Sequence, residues 1–136
     1  MTAASADRAL VDLVAIVDAT EHTLVRVDLQ TGGTTVTGRL ISELEYRRSV
    51  TSVVRQGNAA PMAGAFEPYE ELAAEKREEN ARRNAGRPHT LIPDLPEALH
   101  IVLEGEGKDG RVWRFAFDAI EGWALRDFGF EVPPTA

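Results

Sequence analysis

The sequence predicts an α+β protein: a small five-stranded antiparallel barrel with an N-terminal helix and a charged helical insert between strands 2 and 3. Three observations carry this expectation. Residues 23–42 and 99–125 both alternate apolar with polar side chains, the period of half-buried strands. Between them, residues 43–87 are polar and rich in charge of both signs. Neither strand-like stretch can bury its apolar face alone. The two must therefore share one sheet, and the 136 residues are expected to form one domain with the middle segment as an excursion from it.

The N-terminal helix is expected over 5–20. Leu10, Leu13, Val14 and Val17 fall at helical spacing on one face, and Ser5 or Asp7 can cap its start. Its β-branched content lowers intrinsic propensity, so packing must hold it. Strand 1 is expected over 23–29, with Val25, Val27 and Leu29 on one face, and strand 2 over 34–41. Thr31-Gly32-Gly33 reads as the hairpin turn between them, because such turns need positive φ. Gly38 inside strand 2 suggests a bulge or a sharp bend.

Ser42-Glu43-Leu44-Glu45 has the Ser-x-x-Glu form of a capping box, which predicts a helix over 43–56. Its inner face would carry Tyr46, Val50, Val53 and Val54, although three valines and Thr51 leave a strand open as the alternative. Residues 58–66, with Pro61 and Gly64, read as loop. A second helix is expected over 67–85, acidic in its early turns and basic in its last, as the helix dipole favours. Apolar residues are scarce after Leu72, so this helix should face solvent or a partner. Strands 3, 4 and 5 are expected over 98–104, 111–118 and 120–125, with 128–132 covering a barrel edge. Trp113, Phe115 and Phe117 alternate along strand 4 and read as core, with a base-stacking platform as the competing possibility.

Composition narrows the chemistry. The chain has no cysteine, which excludes disulfides, thiolate metal sites and thiol nucleophiles. A net charge of −7 works against nonspecific nucleic-acid binding and against anionic membrane surfaces. No apolar run has the length of a membrane span, and no signal-peptide pattern opens the sequence, so a cytoplasmic location is expected. His22, His89 and His100 have no second ligand at metal-binding spacing, and Asp18-x-x-Glu21-His22 reads as a helix exit. The paired carboxylates of 70–71 and 78–79 sit on a solvated helix. No phosphate loop or nucleophile elbow is present. No catalytic residues, cofactor or metal are expected, and the chain is not expected to be an enzyme.

One stretch of motifs is more specific. A helix precedes a strand pair ending Gly38-Arg-Leu-Ile-Ser-Glu-Leu-Glu-Tyr46, and a charged helical segment follows. Then come Leu99-His-Ile-Val-Leu-Glu104 and Val112-Trp-Arg-Phe-Ala-Phe-Asp-Ala-Ile-Glu-Gly-Trp-Ala-Leu125. Over about residues 8–126 this layout resembles the gas vesicle accessory protein U family. The resemblance implies a non-enzymatic role in vesicle assembly or clustering, with shell protein, other accessory proteins or a second copy of the chain as partner. The residues expected to meet that partner are Tyr69, Leu72, Glu75, Arg82 and Arg83 on the charged helix. Its separate blocks of opposite sign also predict weak head-to-tail self-association. The alternative is an SH3-like or Sm-like barrel that binds nucleic acid, supported by the helix and the hairpin around Gly32-Gly33 and opposed by the net charge.

Overall fold

The computed structural model describes residues 7–20, 23–88, 90–96, 100–106 and 111–130. Three α-helices and five strands follow one another as α1 (Arg8–Ala19), β1 (Thr23–Thr31), β2 (Thr34–Leu40), α2 (Glu43–Gln56), α3 (Glu67–Arg83), β3 (His100–Gly105), β4 (Val112–Ala116) and β5 (Gly122–Phe130). All pairings are antiparallel, in the order β4-β3-β2-β1-β5. The ladders form an open sheet: among the described residues β4 and β5 are its two edges, and no ladder closes it into the expected barrel.

The alternation in β1 dictates its place inside the sheet. Val25, Val27 and Leu29 are fully buried, while Arg26 between them and Gln30 after them are exposed. The strand pairs on both sides, with β2 and with β5. Gly32 and Gly33 both have positive φ, 57° and 78°, so Thr31 and Thr34 face each other across a two-residue turn. Against this sheet α1 lays Leu10, Val11, Val14 and Val17, closing a core with Leu40, Ile101, Leu103 and Phe117. Each such aliphatic side chain contributes about 1.5–3 kcal/mol when fully buried. Asp7 caps α1: its carboxylate accepts from the amides of Ala9 and Leu10 at 2.9 and 3.4 Å. A hydrogen bond from Trp123 holds that carboxyl below its ordinary pKa and ties the helix start to β5.

Four sequence expectations change. Gly38 is not at a bulge; it pairs in register with Val27 and with Gly105. Its glycine is required because a Cβ there would run into the Glu104 carbonyl, lying 2.9 Å from its carbon. The irregularity lies in β5, where Arg126 is the extra residue between the Arg26–Asp127 and Val27–Leu125 pairs. Residues 60–65 form a 3-10 helix with Pro61 in its first turn and Ala63 buried, rather than a loop. Strand 4 stops at Ala116, and Phe117–Ala119 turn as 3-10, which lets Phe117 enter the core while Trp113 remains 41% exposed at the sheet edge. Finally, β5 runs to Phe130, so 128–130 pair with β1 rather than forming a separate cover. The expected helix positions at 5–6, strand positions at 98–99 and edge positions at 131–132 lie outside the described residues.

The segment 43–56 is a helix, and Ser42 caps it by accepting from the Glu45 amide at 3.2 Å. Its inner face is rotated from the expected one. Leu44 and Thr51 are buried, whereas Val53 is 67% exposed. Thr51 satisfies its hydroxyl on the Arg47 carbonyl one turn earlier, at 3.1 Å, and so can sit inside without an orphaned donor. In α3 no residue is buried. Among the described residues no helix is long and apolar enough to cross a membrane.

Candidate functional site

The strand and helix ends leave a cleft of about 390 Å³ framed by α1, the start of α2, α3, Leu95-Pro96, β3 and β4. Its floor is apolar. Ile41 and Leu44 enter from the β2–α2 junction, Val102 from β3 and Val14 from α1. Val102 belongs to the strand phase opposite Ile101 and Leu103, which is why β3 is buried on consecutive residues and yet contributes to both the core and the cleft.

Helical periodicity builds the long wall. Tyr69, Leu72, Ala73, Lys76, Arg77 and Asn80 all line the cleft, and their spacing is one face of three turns of α3. At 1.5 Å per residue this wall is about 16 Å long. The stripe changes character along the helix, apolar from Tyr69 to Ala73 and polar or cationic from Lys76 onward.

Charge is concentrated here. Arg47, Lys76, Arg77 and Arg114 face the carboxylates of Asp18 and Glu43, an excess of cations within a chain of net charge −7. Glu43 takes two of them: its Oε2 lies 3.0 Å from Arg47 Nε and 3.4 Å from Arg114 Nη2. Both guanidiniums also sit over the Tyr46 ring, each 5.3 Å from its centroid, and Arg47 lies 5.4 Å from the centre of Tyr69. Such stacking contributes about 0.5–1 kcal/mol at exposed sites and fixes where the guanidinium planes point. Arg77 donates to the Thr20 carbonyl at 3.1 Å, joining α3 to the end of α1. Lys76 is exposed and has no ion-pair partner among the described residues.

Asp18 is the unusual group. Its Oδ1 accepts from the Glu43 amide at 3.2 Å, one of the donors that a helix N-terminus leaves unpaired. Burial pushes its pKa up from 3.8 to about 6. The Glu43 amide hydrogen bond and Arg77 pull the other way, and the Glu43 charge adds to the rise. A residue read from sequence as part of a helix exit is therefore a bridge between α1 and α2.

No family model, curated protein or solved structure matches this chain. The site consequently stands on its own geometry. Of the residues expected to meet a partner, Tyr69 and Leu72 line the cleft and are 52% and 54% exposed. Glu75 is exposed on α3 but off the cleft stripe, and Arg82 and Arg83 lie beyond its last member, Asn80. Arg83 pairs with Glu79 at 3.9 Å. Among the described residues no three His, Asp or Glu side chains are arranged to hold a metal. His100 lines the cleft, half-buried; His22 and His89 fall outside the described residues.

Sequence reasoning missed Asp18, Glu43, Arg47, Lys76, Arg77 and Arg114. A local signal was the spacing of 69, 72, 73, 76, 77 and 80, a stripe apolar in its first half and polar or cationic in its second. Glu43 and Arg47 pair one helical turn apart on α2, while Asp18 and Arg114 are brought to them only by the tertiary fold.

Proposed function

We propose that this chain is a non-enzymatic, cytoplasmic accessory protein of the gas vesicle type, acting through contacts that set α3 against a shell protein, another accessory protein or a second copy. The observation that supports the reading is α3 itself. Over 17 residues it buries none, yet it holds Tyr69 and Leu72 out on one face. A helix that gives the core so little is explained most simply by a partner that covers its apolar stripe.

We also read the sheet as a small barrel of the SH3-like or Sm-like kind. The strand order sets β4 and β5 at opposite edges although only a 3-10 turn separates them in the chain. Curvature of the sheet is what would bring those edges together.

The test is co-flotation of the purified chain with intact gas vesicles at physiological salt. Enrichment in the buoyant layer is expected, and replacing residues 67–87 by a short Gly-Ser loop should remove most of it. A chain that stays with the soluble fraction would sink the vesicle reading.

A second reading has one observation in its favour. Trp113 and Phe115 stack at 11° with centroids 6.2 Å apart on an edge strand, and Trp113 is exposed. Such a platform suits unstacked bases. Single-stranded RNA at low salt would be expected to quench the tryptophan fluorescence if this reading held, and an unchanged spectrum would retire it.

A further inference from the structure

We propose that the cleft is a docking groove for an extended acidic peptide segment of a partner protein, with an apolar side chain seated by Tyr69 and Leu72 and carboxylates met by Lys76 and Arg77. This rests on the reading of α3 as a docking helix and adds the chemistry of what it receives.

Shape comes first. The α3 wall is about 16 Å long, the span of roughly five residues of extended chain. A groove of that length with an apolar floor suits a chain better than a compact ion. Next is the order of side chains along the wall, apolar from Tyr69 to Ala73 and cationic at Lys76 and Arg77. This gives the occupant a direction, with its apolar anchor at one end and its acidic residues at the other.

Electrostatics then selects the sign. Four cations face two carboxylates in the cleft. One of those carboxylates, Glu43, is held by Arg47 and Arg114 in the manner that an incoming acidic side chain would be held. Glu43 thus acts as an internal stand-in for the ligand's charge and orients the two guanidiniums. A nucleic acid is disfavoured by the overall charge of −7 and by the apolar floor formed by Ile41, Leu44 and Val102.

The experiment is fluorescence anisotropy with a labelled peptide, Gly-Ser-Leu-Phe-Gly-Asp-Glu-Asp-Gly, against the full chain, with a control in which the three acidic residues are replaced by Lys. The acidic peptide should bind and the basic one should not. Lys76→Glu should weaken binding about tenfold or more, and Leu72→Ser about fivefold. Both positions are exposed, so thermal melts of these variants should match the parent and separate lost binding from lost folding. Glu43→Gln should tighten binding about threefold by freeing the two guanidiniums. Equal binding of the acidic and basic peptides, or an unaltered Lys76→Glu, would overturn the proposal. So would tighter binding of an oligothymidylate of equal charge. Peptide binding without vesicle flotation would remove the vesicle reading and leave the groove standing. Flotation that survives Lys76→Glu and Leu72→Ser would overturn the groove and leave the vesicle reading intact.

Discussion

Asp18→Asn is expected to stabilise the protein by about 3 kcal/mol at pH 7.5, an increase readable as a higher midpoint in urea. The sign follows from the direction of the shift. The carboxyl is pushed up to about 6 in the folded chain from 3.8 when exposed. Below 3.8 both states are protonated and the group costs nothing. Between 3.8 and 6 the unfolded chain ionises first, so stability falls as pH rises through that window. Above 6 the full penalty persists. Asparagine cannot ionise but keeps an oxygen that can accept from the Glu43 amide. Its advantage should therefore shrink as the pH is lowered from 6 toward 4 and be nearly gone at 3.5. A gain that stays constant across that range would mean the buried charge is not its source. Asp18→Leu makes the complementary case: it removes both the charge and the acceptor, leaving the α2 amide unpaired, and should gain less than asparagine at pH 7.5.

Gly38→Ala is expected to cost at least 3 kcal/mol, enough to unfold a marginal domain at 37 °C. The added methyl would press on the Glu104 carbonyl, and both neighbours there are backbone, so no side chain can swing aside. Relief requires moving β3 away from β2, and their described ladder is only three residue pairs long, Gly38 to Leu40. Urea unfolding of the variant, with amide exchange at Leu103 as a local probe, checks this. Parent-like stability would mean that β2 and β3 tolerate a methyl at this contact, against the expectation. Gly129→Ala is a fitting control, since a Cβ there meets nothing within 4 Å.

Local rules read most of the fold correctly because most of its elements are locally determined. Alternation placed Val25, Val27 and Leu29 in the core; two positive-φ glycines fixed the first hairpin; Ser42 marked the start of α2. The inner face of α2 differs from the expected one because a count of valines does not tell which side of a helix packs. Leu44 and Thr51 turn inward, and Val53 is left out. Trp113 was assigned to the core by its alternation with Phe115 and Phe117, but a strand at a sheet edge has one flank with no neighbour, and the large ring lies there exposed. Of the cleft, only the α3 stripe could be seen in advance. Asp18 and Glu43 stand 25 positions apart, and the rise in the Asp18 pKa comes from burial, which no sequence spacing encodes.

Strand β1 has a history that its finished ladders conceal. Its partner on one side, β2, arrives two residues later; its partner on the other, β5, begins only at Gly122. A ribosome adding about 5–20 residues per second needs roughly 5–18 s to make the intervening chain. Throughout that interval the outer edge of β1 offers its amides and carbonyls to any strand that passes. On that edge's exposed face Arg26 and the half-buried Asp28 place one charge of each sign, and they later meet Asp127 and Arg126 of β5. The same side chains that mark the open edge of the nascent strand thus become the pairing partners of the strand that finally covers it.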